Sequence, residues 1–148
     1  MSEPAHGRGI LDTSTVILLG RFSDPASLPD EPVITTVTLA ELSVGPLVAT
    51  QEGERAARQA RLQQAESDFE PLPFDADAAR AFGRVAASLR QAGRKVQART
   101  YDAMIAAVAV ASDLPLYTVN PQDFEGIDGL DLRSVPHPDR AKDERMRR

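Results

Sequence analysis

Nine consecutive residues, Ala103 to Ala111, are apolar at every position, and an acid, Asp102, stands immediately before them. A helix with no polar side has nothing to offer water, so this one must lie between a sheet and other helices. It is too short to cross a bilayer, which takes about 20 apolar residues. The chain has 148 residues and a mass of 16.0 kDa, enough for one domain that hides roughly two thirds of its unfolded surface.

The segments around that helix alternate in period. Gly9-Ile10-Leu11 reads as a short buried strand, Asp12-Thr13-Ser14 as a polar cap, and Val16 to Leu19 as an apolar helix. Phe22 to Pro32, with three prolines and three acids, reads as a loop before a second strand, Val33 to Thr36. The next helix is predicted from Thr38, with Glu41 at capping-box spacing and a break at Pro46. Glu52 to Phe69 predicts an exposed amphipathic helix and Pro71 to Phe74 a third strand. Asp75 caps a helix through Ala92 that Gly93 ends. Asp102 is predicted to open the buried helix, Leu114 to Thr118 to form a fourth strand, and Leu130 to Val135 the last, after a turn-rich loop. Strands alternating with helices predict a three-layer α/β/α domain with a mainly parallel central sheet. Its expected span is 9–136, between a flexible N-terminus (1–8) and a charged tail (137–148).

With no cysteine there is no disulfide, thiolate nucleophile or cysteine metal site, which accords with a reducing cytoplasm. The N-terminal residues lack the pattern of a secretory signal, so a cytoplasmic location without a membrane span is expected. Only two of the 17 basic residues are lysines, which removes most lysine chemistry. His6 and His137, the latter within Pro136-His137-Pro138, are expected at the surface rather than as general bases. The net charge of −5 divides into +2 on the tail from Asp139 and −7 on the rest. That excludes a basic nucleic-acid coat protein but not a nucleic-acid enzyme.

In a parallel sheet, functional groups gather outside the carboxyl ends of the strands. Asp12, Glu41 and Asp123 fall there or at the starts of the following helices, and Asp102 joins them from the buried helix. Two carboxylates about 4 Å apart repel by roughly 4 kcal/mol at an effective dielectric of 20, so such a cluster shares protons or binds a cation. Oxygen ligands favour Mg²⁺ or Mn²⁺. Each residue also has a plain structural reading. Asp12 could cap a helix, Glu41 could complete a capping box from Thr38, Asp102 could serve the helix dipole, and Asp123 and Asn120 could be turn residues. Burying Asp102 without a partner would be costly, which favours function there.

Taken in order, Ile10-Leu11-Asp12-Thr13-Ser14, Thr38-Leu39-Ala40-Glu41-Leu42, Tyr101-Asp102-Ala103-Met104-Ile105-Ala106-Ala107, and Leu116-Tyr117-Thr118-Val119-Asn120 with Asp123-Phe124 resemble the motifs of PIN-domain ribonucleases. More narrowly, they resemble the VapC toxins of bacterial toxin–antitoxin pairs. The resemblance spans about residues 9 to 135. It implies a Mg²⁺-dependent (or Mn²⁺-dependent) endoribonuclease that hydrolyses RNA phosphodiester bonds and so inhibits translation and growth. Asp12 and Asp102 match the most regular metal-binding aspartates and Glu41 the acid of the second motif. The fourth acidic position falls on Asp123, with Asn120 where some members have Asp. Thr118 matches a hydroxyl position beside the metal, and Ser14 anchors the first loop. The resemblance also implies a cognate antitoxin seated against the helices around Glu52 to Phe69, and a homodimer.

RNA must still approach an acidic chain. Residues 81–99 hold Arg84, Arg90, Arg94, Lys95 and Arg99 without an acid and lead directly to Asp102, which makes them the candidate phosphate-binding stretch. A receiver domain would need an early acidic pair and a lysine after a late strand, and neither is present. A haloacid-dehalogenase-type phosphatase would need Asp where Ser14 stands. The remaining alternative is a catalytically degenerate PIN-like module that binds RNA or protein.

Overall fold

A computed structural model describes residues 7–140. In chain order its elements are β1 (Arg8–Leu11), α1 (Thr13–Ile17), β2 (Glu31–Val33), α2 (Thr36–Val48), α3 (Glu52–Asp68), α4 (Ala76–Gln91), α5 (Thr100–Ser112), β3 (Leu116–Thr118) and β4 (Leu132–Ser134). The four strands form one sheet in the order β2-β1-β3-β4, and every pairing is parallel. Ile10 of β1 lies in register with Val33 on one side and Leu116 on the other.

Successive strand residues point to opposite faces, and the core divides accordingly. Ile10 and Leu116 pack with Ala81, Val85 and Leu89 of α4 and with Ile105, Ala106 and Val108 of α5. Leu11 and Tyr117 pack on the other face with Val16, Leu42 and Ala65. These are the two helical layers about the central sheet. The all-apolar stretch of α5 is buried from Ala103 to Ala109, except that Met104 is partly covered, so its composition follows from its place between α4 and the sheet. Among the described residues no helix is long and apolar enough to cross a membrane.

Several boundaries differ from those the sequence predicts. The second strand ends at Val33 because the Thr35 side chain, accepting from Thr38 N at 3.3 Å, caps α2. Thr38 is therefore not the cap, and the capping box expected with Glu41 does not form. Pro46 lies inside α2 instead of ending it. The exposed carbonyls of that last turn are covered from α3: Arg55 donates to Pro46 O at 3.2 Å and to Ala49 O at 3.0 Å, and Arg58 to Gly45 O at 2.9 Å. The predicted strand over Pro71 to Phe74 contracts to a single parallel bridge, Thr35 to Leu72. Helix α1 begins at Thr13 and α5 at Thr100, each ahead of the expected start, while β3 and β4 are shorter than predicted. Of the predicted terminal segments, 1–6 and 141–148 lie outside the described residues, His6 with them. Arg140 donates to Val119 O at 3.2 Å and Asp139 pairs with Arg21, so residues 139 and 140 are bonded to the domain. His137 is partly buried, and its Nδ1 accepts from Asp139 N at 3.1 Å.

Candidate active site

Strands β1 and β3 are neighbours, but the chain leaves them in opposite directions, toward β2 after β1 and toward β4 after β3. That divergence opens a crevice at their carboxyl ends, where ligands of parallel α/β sheets bind. Asp12 directly follows β1 and Thr118 closes β3, so the two meet at this switch point.

Asp12 is 3% exposed and is held by four donors. Its Oδ1 accepts from Thr15 N at 3.2 Å and from the Thr15 hydroxyl, and its Oδ2 accepts from Ser14 Oγ at 2.8 Å and Thr118 Oγ1 at 2.9 Å. The same carboxylate therefore caps α1 and lines the crevice, so the structural and functional readings of Asp12 are compatible. The hydroxyls are themselves fixed. Thr15 Oγ1 accepts from Val119 N at 3.1 Å, Thr118 Oγ1 accepts from Asn120 N at 2.9 Å, and Asn120 Nδ2 donates to Ser14 Oγ at 3.2 Å. These bonds offset the cost of a buried charge. Thr15, fully buried, is the tie between α1 and the end of β3 that sequence reasoning missed; its only trace was a third hydroxyl in the run after Asp12.

Glu41 sits in α2 facing the first loop. Thr13 Oγ1 donates to its Oε1 at 2.6 Å and lies 3.0 Å from Thr38 Oγ1. Burial raises the Glu41 pKa, the Thr13 bond opposes that rise, and the Asp12 charge adds to it. Thr13 also escaped the sequence reading, since a threonine directly after a strand end reads as an ordinary capping or turn residue.

Asp102 stands in the first turn of α5 and takes no hydrogen bond from the described residues. Its pKa is pushed up to about 7, first by burial and then by the charges of Asp123, Asp12 and Glu41, with Arg99 opposing. The four carboxylates therefore share one electrostatic field. Asp123 is restrained by Arg99, which donates to Asp123 Oδ1 at 3.1 Å and to its backbone oxygen at 3.3 Å.

Among the described residues no three carboxylate or imidazole side chains stand close enough to make a metal cage by themselves. The arrangement is open, and its donors are all oxygen. A hard divalent cation that keeps several waters and takes one or two carboxylates suits such a set. The raised Asp102 marks the uncompensated negative charge that a cation would neutralise.

The basic stretch is divided among tasks. Arg99 pairs with Asp123, and Arg94 donates to Glu125 O at 2.8 Å. Arg84, Arg90 and Lys95 are exposed, and Arg90, Arg94 and Lys95 line a cavity of about 500 Å³.

The model of the PIN domain matches residues 10–130 of this chain. The chain belongs to the PIN-domain family, on its VapC branch. It is 46% identical over 123 residues to "Ribonuclease VapC5" of Mycobacterium tuberculosis, covering 82% of this chain and 88% of that protein. It is 30% identical over 133 residues to "Ribonuclease VapC" of Rickettsia bellii, covering 88% and 98%. In structure it is similar to VapBC-5 from Mycobacterium tuberculosis, a member of the VapBC family of toxin–antitoxin systems, with a TM-score of 0.75 at 39% identity over 87% of this chain and 99% of that one. DNA-bound VapBC from Salmonella typhimurium matches with a TM-score of 0.67 at 28% identity, covering 86% and 98%. PIN-domain VapC nucleases depend on metal as a class.

Proposed function

We propose that this protein is a Mg²⁺-dependent endoribonuclease, with Mn²⁺ as the alternative ion, and the toxin of a toxin–antitoxin pair in the cytoplasm. Its substrate is RNA, its restraint a cognate antitoxin, and its working form a homodimer. The observation that carries the reading is the set of four carboxylates coupled at the β1/β3 switch point, with Asp102 poised near neutrality.

Asp12, Asp102, Glu41 and Asp123 would hold the ion, one or two of them directly and the others through its waters. When bound, it supplies positive charge to the scissile phosphate and lowers the pKa of the attacking water. The protein's own groups do the rest. Asp12, locked by Ser14, Thr15 and Thr118, is the fixed point of the site. A carboxylate of this set helps take the proton from the attacking water and passes it to solvent, while Asp102, which holds a proton near neutrality without the ion, gives that proton up when the ion is held. Thr13 orients Glu41, and Arg99 keeps Asp123 turned toward the others. Asn120 and Thr118 set the direction of the Ser14 and Asp12 side chains. The comparisons support the biological setting: relatives are ribonucleases of the VapC type, and similar structures are toxin–antitoxin assemblies. Val44, Leu47 and Val48, exposed at the end of α2, offer apolar surface to a protein partner.

The test is to incubate the pure chain with mixed RNA, with Mg²⁺ or with EDTA, and to read the ends produced. Cleavage that needs the ion and leaves 5′-phosphates is expected. Cleavage that persists in EDTA, or leaves 2′,3′-cyclic phosphates, overturns the assignment.

A further inference from the structure

The carboxylate edge is the middle of a longer path. The cavity bounded by Arg90, Arg94 and Lys95 reaches Gln97. Gln97 also lines a second cavity, of about 320 Å³, that contains Asp102 and ends at Glu41. Glu41 in turn lines a third, of about 300 Å³, together with Arg58 and Arg61 of α3. The three share residues end to end, so the acids lie between two basic flanks.

Arg61 is the arginine of this second flank that no described residue engages. Arg55, Arg58 and Arg61 recur every third residue, which sets them near one face of α3. Arg55 is bonded to Glu52, Pro46 and Ala49, and Arg58 to Glu54 and Gly45, so both fasten α3 to the end of α2. Gly45 makes room for this: a Cβ there would stand 3.2 Å from Arg58 Cδ. Arg61 has no hydrogen bond or ion pair with the described residues, yet it is partly buried against the cavity that holds Glu41. A guanidinium so placed is matched to an anion from outside, and its planar fork fits a phosphate.

Resting on the ribonuclease reading, we propose that Arg61 binds a backbone phosphate of the RNA on the side of the scissile bond opposite to the phosphates held by Arg90 and Lys95. A strand gripped on both sides of the carboxylates is cut internally, which is the geometry of an endonuclease.

The experiment uses the full chain and a single-stranded RNA that the wild type cleaves in Mg²⁺, with versions shortened from either end. Arg61→Gln should raise KM roughly tenfold with kcat held within about twofold, and should lower the salt dependence of kcat/KM by a slope of about 0.7, the value of one single-strand phosphate contact. The penalty should vanish on RNA shortened from one end. That of the Arg90→Gln, Lys95→Gln double variant should vanish on RNA shortened from the other end. If Arg61→Gln lowers the melting temperature, Arg61→Lys decides: it should retain the salt slope with an intermediate KM. A wild-type KM and slope in Arg61→Gln, as an acidic protein partner at this residue would leave them, overturns the proposal. So does an equal loss of kcat on every RNA, or loss of both variants' penalties from the same end. Wild type that cuts no RNA instead defeats the ribonuclease reading itself, before any variant is made.

Discussion

Asp12 and Asp102 are the same chemical group in two settings. The first is nearly inaccessible and meets four donors, three of them hydroxyls on the neighbouring α1 and β3. The second receives no hydrogen bond from the described residues and stands in the field of three other acids. One is a charge whose burial the fold has compensated; the other is a charge left for something else to compensate. Paired carboxylates held in contrasting environments are how a site divides a fixed ligand from a group that exchanges protons. The contrast also says where the fold meets a cost. Asp12 holds α1 to β3, whereas Asp102 opposes folding whenever it is ionised and alone.

The strongest way to break that comparison is to neutralise each acid in turn. Asp102→Asn and Asp12→Asn should both depress Mg²⁺-dependent RNA cleavage, by roughly 10²-fold or more, because each removes a carboxylate that would hold the ion. Their melting temperatures should part. Asp102→Asn removes a destabilising charge and should melt at or above the wild type without added metal. Asp12→Asn puts an amide N–H₂ among four donors and leaves buried donors unmatched, at about 1–3 kcal/mol for each. Equal melting temperatures for the two variants would dissolve the distinction, and full cleavage by both would remove the site.

A second test uses pH. The Asp102 pKa is raised from 3.8 to about 7, so the folded chain holds this proton more tightly than the unfolded one. The contribution to stability is complete below the unfolded value and is lost as pH rises through the folded value. Without metal, wild type should therefore lose stability between about pH 4 and pH 7 by a margin that Asp102→Asn does not show. Metal must displace that proton, so the stabilisation conferred by Mg²⁺ should grow from about pH 5.5 to about pH 8. Thermal melts across this range, with and without Mg²⁺, check both statements; a metal-induced shift independent of pH contradicts them.

The same contrast shows what the residues disclose in order and what they do not. The apolar run after Asp102 dictates a buried helix, and the short apolar pair Ile10-Leu11 before Asp12 reads as a strand end, so the two aspartates are legible from local pattern. The β1, β3 adjacency that unites them is a long-range pairing with no local signal. The end of α2 illustrates the limit. Pro46 reads as a break because its lost N–H is visible in sequence, while the Arg55 and Arg58 bonds that cover the last carbonyls come from another helix. Likewise Thr38 and Glu41 have capping-box spacing, but Thr35 caps instead, and Glu41 is left free to meet Thr13 across 28 residues. Pro32 lies in a strand that sequence reasoning placed later, a position open to proline because β2 is at the sheet edge.

The smallest expected effect concerns the intermediate case, Glu41, which has one hydroxyl donor where Asp12 has three. Thr13→Ala removes that donor while leaving the Cβ, and with it the one interaction that lowers the Glu41 pKa against burial and the Asp12 charge. The carboxyl should therefore hold its proton to higher pH, and the acidic limb of the cleavage profile should move upward. The bond removed contributes about 0.5–1.5 kcal/mol, so rates should fall by no more than roughly tenfold, and mostly on the acidic side. A pH–rate profile of Thr13→Ala beside wild type measures this. A uniform loss across pH would mean that Thr13 only shapes the loop, and a larger loss than that of Asp12→Asn would reverse the ranking of the two carboxylates.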